Sequence, residues 1–199
     1  PQRVTSPDMR LRVTSPGLLA LPWERPLGEW DATAVPLRDV PVGPSRHLVR
    51  VVETDGRLWA LKELPHRIAH KEYAVLRDLE SMGLPAVRPA GLVLQPGEGP
   101  RLEGNAILVT QYLEGSWQYR RLFMRLPNRP RHRARLFDAM AGLLVDLHRN
   151  GVFWGDCSLA NTLFSRDGQL LQAWLVDAET SDVHPSLTDG QRRHDLDIL

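Results

Sequence analysis

Three polar side chains late in the chain have the types and spacing for work on phosphates. Asp156 and Asn161 stand five positions apart, and Asp177 ends the apolar run Leu170–Val176. Asn161 sits just before one expected hairpin strand and Asp177 just after its partner. In an antiparallel hairpin those two positions share the open end. Asp156 lies in the loop directly upstream, so three oxygen-bearing side chains converge on one rim. Hard oxygen ligands of this kind suit Mg²⁺, which keeps several waters and shares its other positions with substrate phosphates. A second clue is a residue type. Only two of the 25 Lys+Arg residues are lysine, Lys62 and Lys71, which leaves 23 arginines. A chain with that bias uses arginine wherever any cation serves, so a retained lysine invites inspection.

The elements that must hold these residues fall into two groups. LVRVVE (48–53) and LWALKEL (58–64) flank Asp55-Gly56, a hairpin turn signal. Alternation places Leu58, Ala60 and Lys62 on one face of the second strand. Residues 69–83 read as a helix, with Glu72, Leu76 and Leu79 at helical spacing and Gly83 as its stop. GLVL (91–94) and NAILVTQYL (105–113) add strands around a Gly/Pro-rich loop. The stretch 37–64 as a whole reads as strands, so that five strands and one inserted helix make a small α+β lobe. Beyond Gly115 the pattern changes to an amphipathic helix over His132–Asn150, with Leu136, Met140, Leu143, Leu144 and Leu147 on one stripe. A hairpin around Arg166-Asp167-Gly168 follows.

Composition narrows the classes. The 199 residues are 42% hydrophobic and 25% charged, which suits one globular unit or two small lobes and excludes a disordered or fibrous chain. The net charge of +1 gives no global basic signature of nucleic-acid binding, so nucleic acid is not an expected partner. It hides an asymmetry: residues 138–199 carry 10 acids and 4 bases, and residues 1–137 carry the opposite excess. The single cysteine, Cys157, excludes an intrachain disulfide and a multi-cysteine zinc site. No apolar run is long enough to span a bilayer and no secretory leader is visible, so a cytoplasmic location is expected. The pentapeptide RVTSP occurs twice, at Arg3–Pro7 and Arg12–Pro16, in what reads as a flexible tail. Trp23 and Trp30 read as anchors of an extended lead-in. The expected organisation is a tail and lead-in over 1–36, a small lobe over 37–112 and the start of a large, mainly helical lobe over 113–199.

The ordered set of residues resembles the protein-kinase-like superfamily. Asp156 to Asn161, then an apolar strand ending in Asp177, is similar to the catalytic loop and metal segment of these phosphotransferases. Lys62 in W-A-L-K resembles the lysine that holds the α- and β-phosphates, and Glu72 resembles its ion-pair partner. TQYLEG (110–115) resembles the hinge, where backbone groups of Gln111 and Leu113 contact adenine. VGPSRH (42–47) resembles a reduced phosphate loop, with Gly43 allowing close approach, Ser45, Arg46 and His47 offering amides, and Arg46 adding charge. WGDCSLANTLF, LVDAET, HPSLTDGQ and HDLDI together resemble a bacterial family of lipopolysaccharide-kinase-like proteins whose members extend beyond Leu199. The resemblance implies a two-lobed α+β fold with ATP and Mg²⁺ as cofactors. It implies transfer of the γ-phosphate to a hydroxyl acceptor, with Asp156 as the catalytic base and Asn161 and Asp177 on the metal.

The departures from the pattern bear on activity. Trp154-Gly155-Asp156 stands where protein kinases carry His-Arg-Asp, and Ser158 stands where many place a lysine. Asp177-Ala178-Glu179 replaces Asp-Phe-Gly, and Glu179 is either a further metal ligand or a structural residue. Two alternatives stay open: a pseudokinase-like module that binds nucleotide or a partner without turnover, and an AMP transferase on the same fold. Between Ser116 and Phe137 there is no acid but seven arginines: Arg120, Arg121, Arg125, Arg129, Arg131, Arg133 and Arg135. They read either as a dock for an anionic acceptor or as a solvated face.

Overall fold

The computed structural model describes residues 8–11, 16–40, 42, 45–95, 104–125, 130–168 and 170–199. It divides into two compact units, Pro1–Tyr73 with Arg88–Tyr112 and Ala74–Val87 with Leu113–Leu199.

The first unit is built on a five-stranded sheet. Its elements are β1 (Asp8–Leu11), the short helix α1 (Pro16–Leu19), β2 (Leu48–Thr54), β3 (Arg57–Pro65), the first half of helix α2 (His66–Ser81), β4 (Pro89–Leu94) and β5 (Asn105–Gln111). The spatial order is β1-β4-β5-β3-β2, antiparallel throughout. The β2–β3 turn has Asp55 at φ 51° and Gly56 at φ 71°, the positive pair that a tight, right-twisted hairpin requires.

The tail reading needs correction at residues 8–11. They form an edge strand whose register on β4 runs from Asp8 opposite Leu94 to Leu11 opposite Gly91. Four residues carry too little alternation to announce a strand; the open edge of β4 supplies the ladder. Apart from Pro16, both copies of RVTSP lie outside the described residues.

Trp23 and Trp30 do anchor the lead-in. With Leu18, Leu21, Leu27 and Val35 they bury against Val52, Trp59, Leu61, Val93, Ile107 and Val109. The two indoles meet edge to face, 5.4 Å between centroids. Trp23 Nε1 donates to Leu18 O, and Gln95 Nε2 donates to the carbonyls of Trp23 and Arg25, which pins a segment with little regular structure. This layer seals one face of the sheet. Because side chains alternate, Trp59 and Leu61 point into it and Lys62 points to the other face.

Helix α2 ends where Gly83 predicts. Gly83 takes φ 69°, its N–H bonds Glu80 O and the Leu84 N–H bonds Leu79 O, the paired closure of a glycine-capped helix. The chain then pairs with the second unit's sheet, Val87 N–H to Leu175 O and Leu175 N–H to Pro85 O. That pairing explains why residues 74–87 cluster with later sequence.

The second unit contains β6 (Trp117–Gln118), α3 (Tyr119–Arg125), α4 (Pro130–Arg149), β7 (Val152–Phe153), β8 (Thr162–Asp167), β9 (Leu170–Leu175), β10 (Asp182–Val183) and α5 (Asp189–Ile198). The strands form a β6-β8-β9 sheet and a β7-β10 pair. Helix α4 packs on β9 and β7 through the expected stripe Leu136, Met140, Leu143, Leu144 and Leu147, and His148 is buried with it. Helix α5 opens with a capping box, Thr188 and Gln191 satisfying each other's backbone amides. It packs against β7.

Candidate active site

The first unit places Lys62 in the middle of its sheet, with Val49 of β2 opposite it on one side and Leu108 of β5 on the other. Glu72 lies on α2, the next element. Lys62 Nζ donates to both Glu72 oxygens, at 2.9 and 3.2 Å. The Glu72 side chain is 1% exposed and that of Lys62 13%. A carboxylate this buried is costly without a compensating cation, so the glutamate and the lysine fix each other's position.

The second unit gathers Asp156, Asn161 and Asp177. Hairpin register puts Thr162 opposite Leu175, and the pairing continues one step outward with Val176 N–H donating to Asn161 O at 3.1 Å. Asn161 and Asp177 therefore do share the open end of β8–β9. Asn161 Nδ2 donates to Asp156 Oδ2 at 3.0 Å and to Asp156 O at 3.1 Å. Asp177 Oδ1 accepts the Glu179 N–H.

The loop under Asp156 is clamped from both sides. Asp195, on α5, is fully buried. Its Oδ1 accepts the Gly155 N–H at 2.8 Å. Its Oδ2 accepts the Trp154 N–H at 3.0 Å and lies 2.8 Å from His148 Nε2, which donates to it. On the other side, Thr180 Oγ1 and Ser181 Oγ both donate to Trp154 O. Gly155 is at φ 80°, and a Cβ there would fall 2.7 Å from Thr180 O. Glycine is thus required one residue before Asp156. Asp195 and His148 carry no motif in isolation. The signal was the HDLDI string, which contains two aspartates and does not say which one is buried.

The expected nucleotide contacts are only partly gathered. Gly43 lies outside the described residues. Ser45 Oγ accepts the His47 N–H, so that amide is committed within its own turn. Arg46 and His47 line a cavity of about 350 Å³ with Glu63 and Asn105, on the face of β3 opposite Lys62. At the hinge, Gln111 N–H donates to Arg88 O and Leu113 O accepts from Ser116 Oγ.

Cys157 follows Asp156 but faces inward, with its Sγ donating to Asp195 O. Burial, reinforced by the Asp195 charge, pushes its thiol up to about 12.

A lysine–glutamate pair on strand and helix, followed in the chain by a loop aspartate, an asparagine and a strand-end aspartate, is the order that the resemblance to kinase-like phosphotransferases implies. The fold agrees: a solved structure described as WaaP in complex with acyl carrier protein superposes with a TM-score of 0.58, at 22% identity, over 82% of this chain and 68% of that one. Residues 53–199 match the model of the Lipopolysaccharide kinase (Kdo/WaaP) family, and the chain belongs to it. No curated protein sequence matches.

Two outcomes follow from the clamp. Asn offers one oxygen where Asp195 uses two, so Asp195→Asn leaves a buried N–H facing an amide NH₂. It should cost about 1–3 kcal/mol in denaturant titration, and an unchanged midpoint would refute the clamp. Alkylation needs the thiolate, so at pH 8 a thiol displaced up to about 12 should label at least a hundredfold more slowly in the native protein than in denaturant. Equal rates would place Cys157 at the surface.

Proposed function

We propose that the protein transfers the γ-phosphoryl group of ATP to a hydroxyl on an anionic saccharide or glycolipid acceptor, with Mg²⁺. The Asp156–Asn161–Asp177 arrangement carries this reading. Asn161 has its Nδ2 committed to Asp156, so Oδ1 is the atom it can offer a cation. With the Asp177 carboxylate on the neighbouring strand end, the donor set is hard oxygen, which fits Mg²⁺. Bound there, the metal would neutralise charge on the phosphates.

The chain's own residues do the rest. Lys62, held by Glu72, meets the α- and β-phosphates as a compact charge. The Leu113 N–H and the Gln111 carbonyl face adenine; the Gln111 N–H is already used by Arg88. Asp156 keeps Oδ2 on Asn161 and presents Oδ1 to the acceptor hydroxyl, which it orients and whose proton it takes late. Phosphoryl transfer asks chiefly for positioning and charge neutralisation, so this small set is sufficient. Ser158 supplies no cation; its carbonyl instead accepts from the Asn161 N–H and Thr162 Oγ1, shaping the turn that carries Asn161. The arginines from Arg120 to Arg135 attract the acceptor. The family description supports a lipopolysaccharide-type acceptor.

Asp177→Asn tests the assignment. It should lower Mg²⁺-dependent turnover by about 10²–10³-fold while leaving the thermal melting curve in place. Turnover at the wild-type rate would overturn the metal role.

A further inference from the structure

The register of the second unit's sheet brings one more element to the rim that carries Asn161. Trp117 stands opposite Phe164 and Gln118 opposite Leu163, so β6 runs toward the end of β8 that adjoins Asn161. Gln118 is one strand over from that asparagine and two residues, about 7 Å, along the strand. Helix α3 starts at the next residue, Tyr119, and touches both β6 and β8. It therefore begins beside the candidate active site, within the same unit.

The start of α3 carries a connected group of side chains. Tyr119 and Phe123 are four positions apart, on one side of the helix. Their rings meet edge to face, 6.3 Å between centroids. Arg120 Nε donates to Tyr119 Oη at 3.0 Å, and the Arg120 Cζ lies 5.9 Å from the centre of the same ring. Leu122 is buried and fixes the helix on the unit, whereas Phe123 is 47% exposed. That exposure is unusual here: Trp23, Trp30, Trp59, Trp154 and Phe164 are all under 5% exposed. An aromatic ring left in water costs hydrophobic free energy, which an apolar occupant relieves. Residues 116–137 contain no acid, so the group is positively charged. One guanidinium N–H serves the tyrosine, and the two terminal nitrogens keep the fork geometry that suits a phosphate or carboxylate.

An aromatic ring beside a guanidinium is suited to an anionic sugar. The C–H face of a pyranose packs on the ring as other apolar groups do, and its charged substituent pairs with the cation. We infer that Tyr119, Arg120 and Phe123 form an acceptor subsite for a sugar neighbouring the one that is phosphorylated. The inference rests on the reading above that the acceptor is an anionic saccharide. Binding at such a subsite acts away from the reacting hydroxyl and helps to orient it toward Asp156.

The test is calorimetric titration of the whole chain, without nucleotide, with the phosphorylated core oligosaccharide left when the acyl chains of lipopolysaccharide are removed. No helix among the described residues is long and apolar enough to cross a membrane, and the deacylated probe keeps lipid contacts out of the measurement. Phe123→Ala should weaken binding roughly two- to tenfold. Phe123→Tyr keeps the ring and should bind like wild type, which controls for misfolding. Arg120→Gln should weaken binding of the phosphorylated oligosaccharide several-fold and leave binding of its dephosphorylated form unchanged. In turnover, Phe123→Ala should raise the KM for the oligosaccharide and leave the KM for ATP. Wild-type affinity in both Phe123→Ala and Arg120→Gln would overturn the subsite, as would absence of binding by the wild-type protein. A raised KM for ATP with an unchanged acceptor KM would do the same, since it would put the ring on the nucleotide. Binding that depends on these side chains, with no phosphate moved from ATP, would support the subsite and refute only the transfer reading.

Discussion

The second unit depends on one buried charge. Asp195 is fully removed from water, and a carboxylate there is tolerable because backbone amides of Trp154 and Gly155 and the ring of His148 all point at it. That requirement ties α5, α4 and the loop between β7 and β8 into one arrangement. The geometry of Asp156 follows from it. With the amides of the two preceding residues held by Asp195 and the Trp154 carbonyl held by Thr180 and Ser181, the loop has little freedom left. Under the proposed function, that rigidity is what would hold Asp156 in position. The same contact explains the inert cysteine. Cys157 turns into the Asp195 backbone and away from the rim that Asp156 occupies.

The first unit solves a different problem. A five-stranded sheet has two faces, and the tryptophan-bearing lead-in closes one of them. Alternation along β3 then leaves Lys62 on the other, beside α2. A lysine in a half-buried setting needs a partner, and Glu72 needs one more, being nearly inaccessible. The retention of lysine in an arginine-dominated chain fits this place: a compact ammonium on a flexible stem reaches both Glu72 oxygens, where arginine would impose a planar fork.

What the sequence reveals depends on the range of the interaction. Asn161 and Asp177 are legible because hairpin register is local and the period of a strand is fixed. Lys62 and Glu72 are legible as types on a strand and a helix, and the stripe Leu136–Leu147 follows from helical period alone. Asp195 is not legible as the clamp. It contacts residues 38 to 47 positions away, and Asp197 has the same side chain two positions later. Strand β1 is hidden for a related reason, since its order comes from the edge of β4 and not from its own four residues. At Ser45 the serine hydroxyl accepts the His47 amide, a local bond that composition does not announce.

The proposed function requires transfer of a phosphoryl group, and not of a nucleotidyl group or of nothing. The decisive measurement is incubation of the protein with lipopolysaccharide and Mg²⁺, once with ATP labelled in the γ-phosphate and once with ATP labelled in the α-phosphate. Label should enter the acceptor from the γ-position and not from the α-position, and removing Mg²⁺ should stop the transfer. Label arriving from the α-position, or nucleotide bound with no transfer from either, would refute phosphoryl transfer.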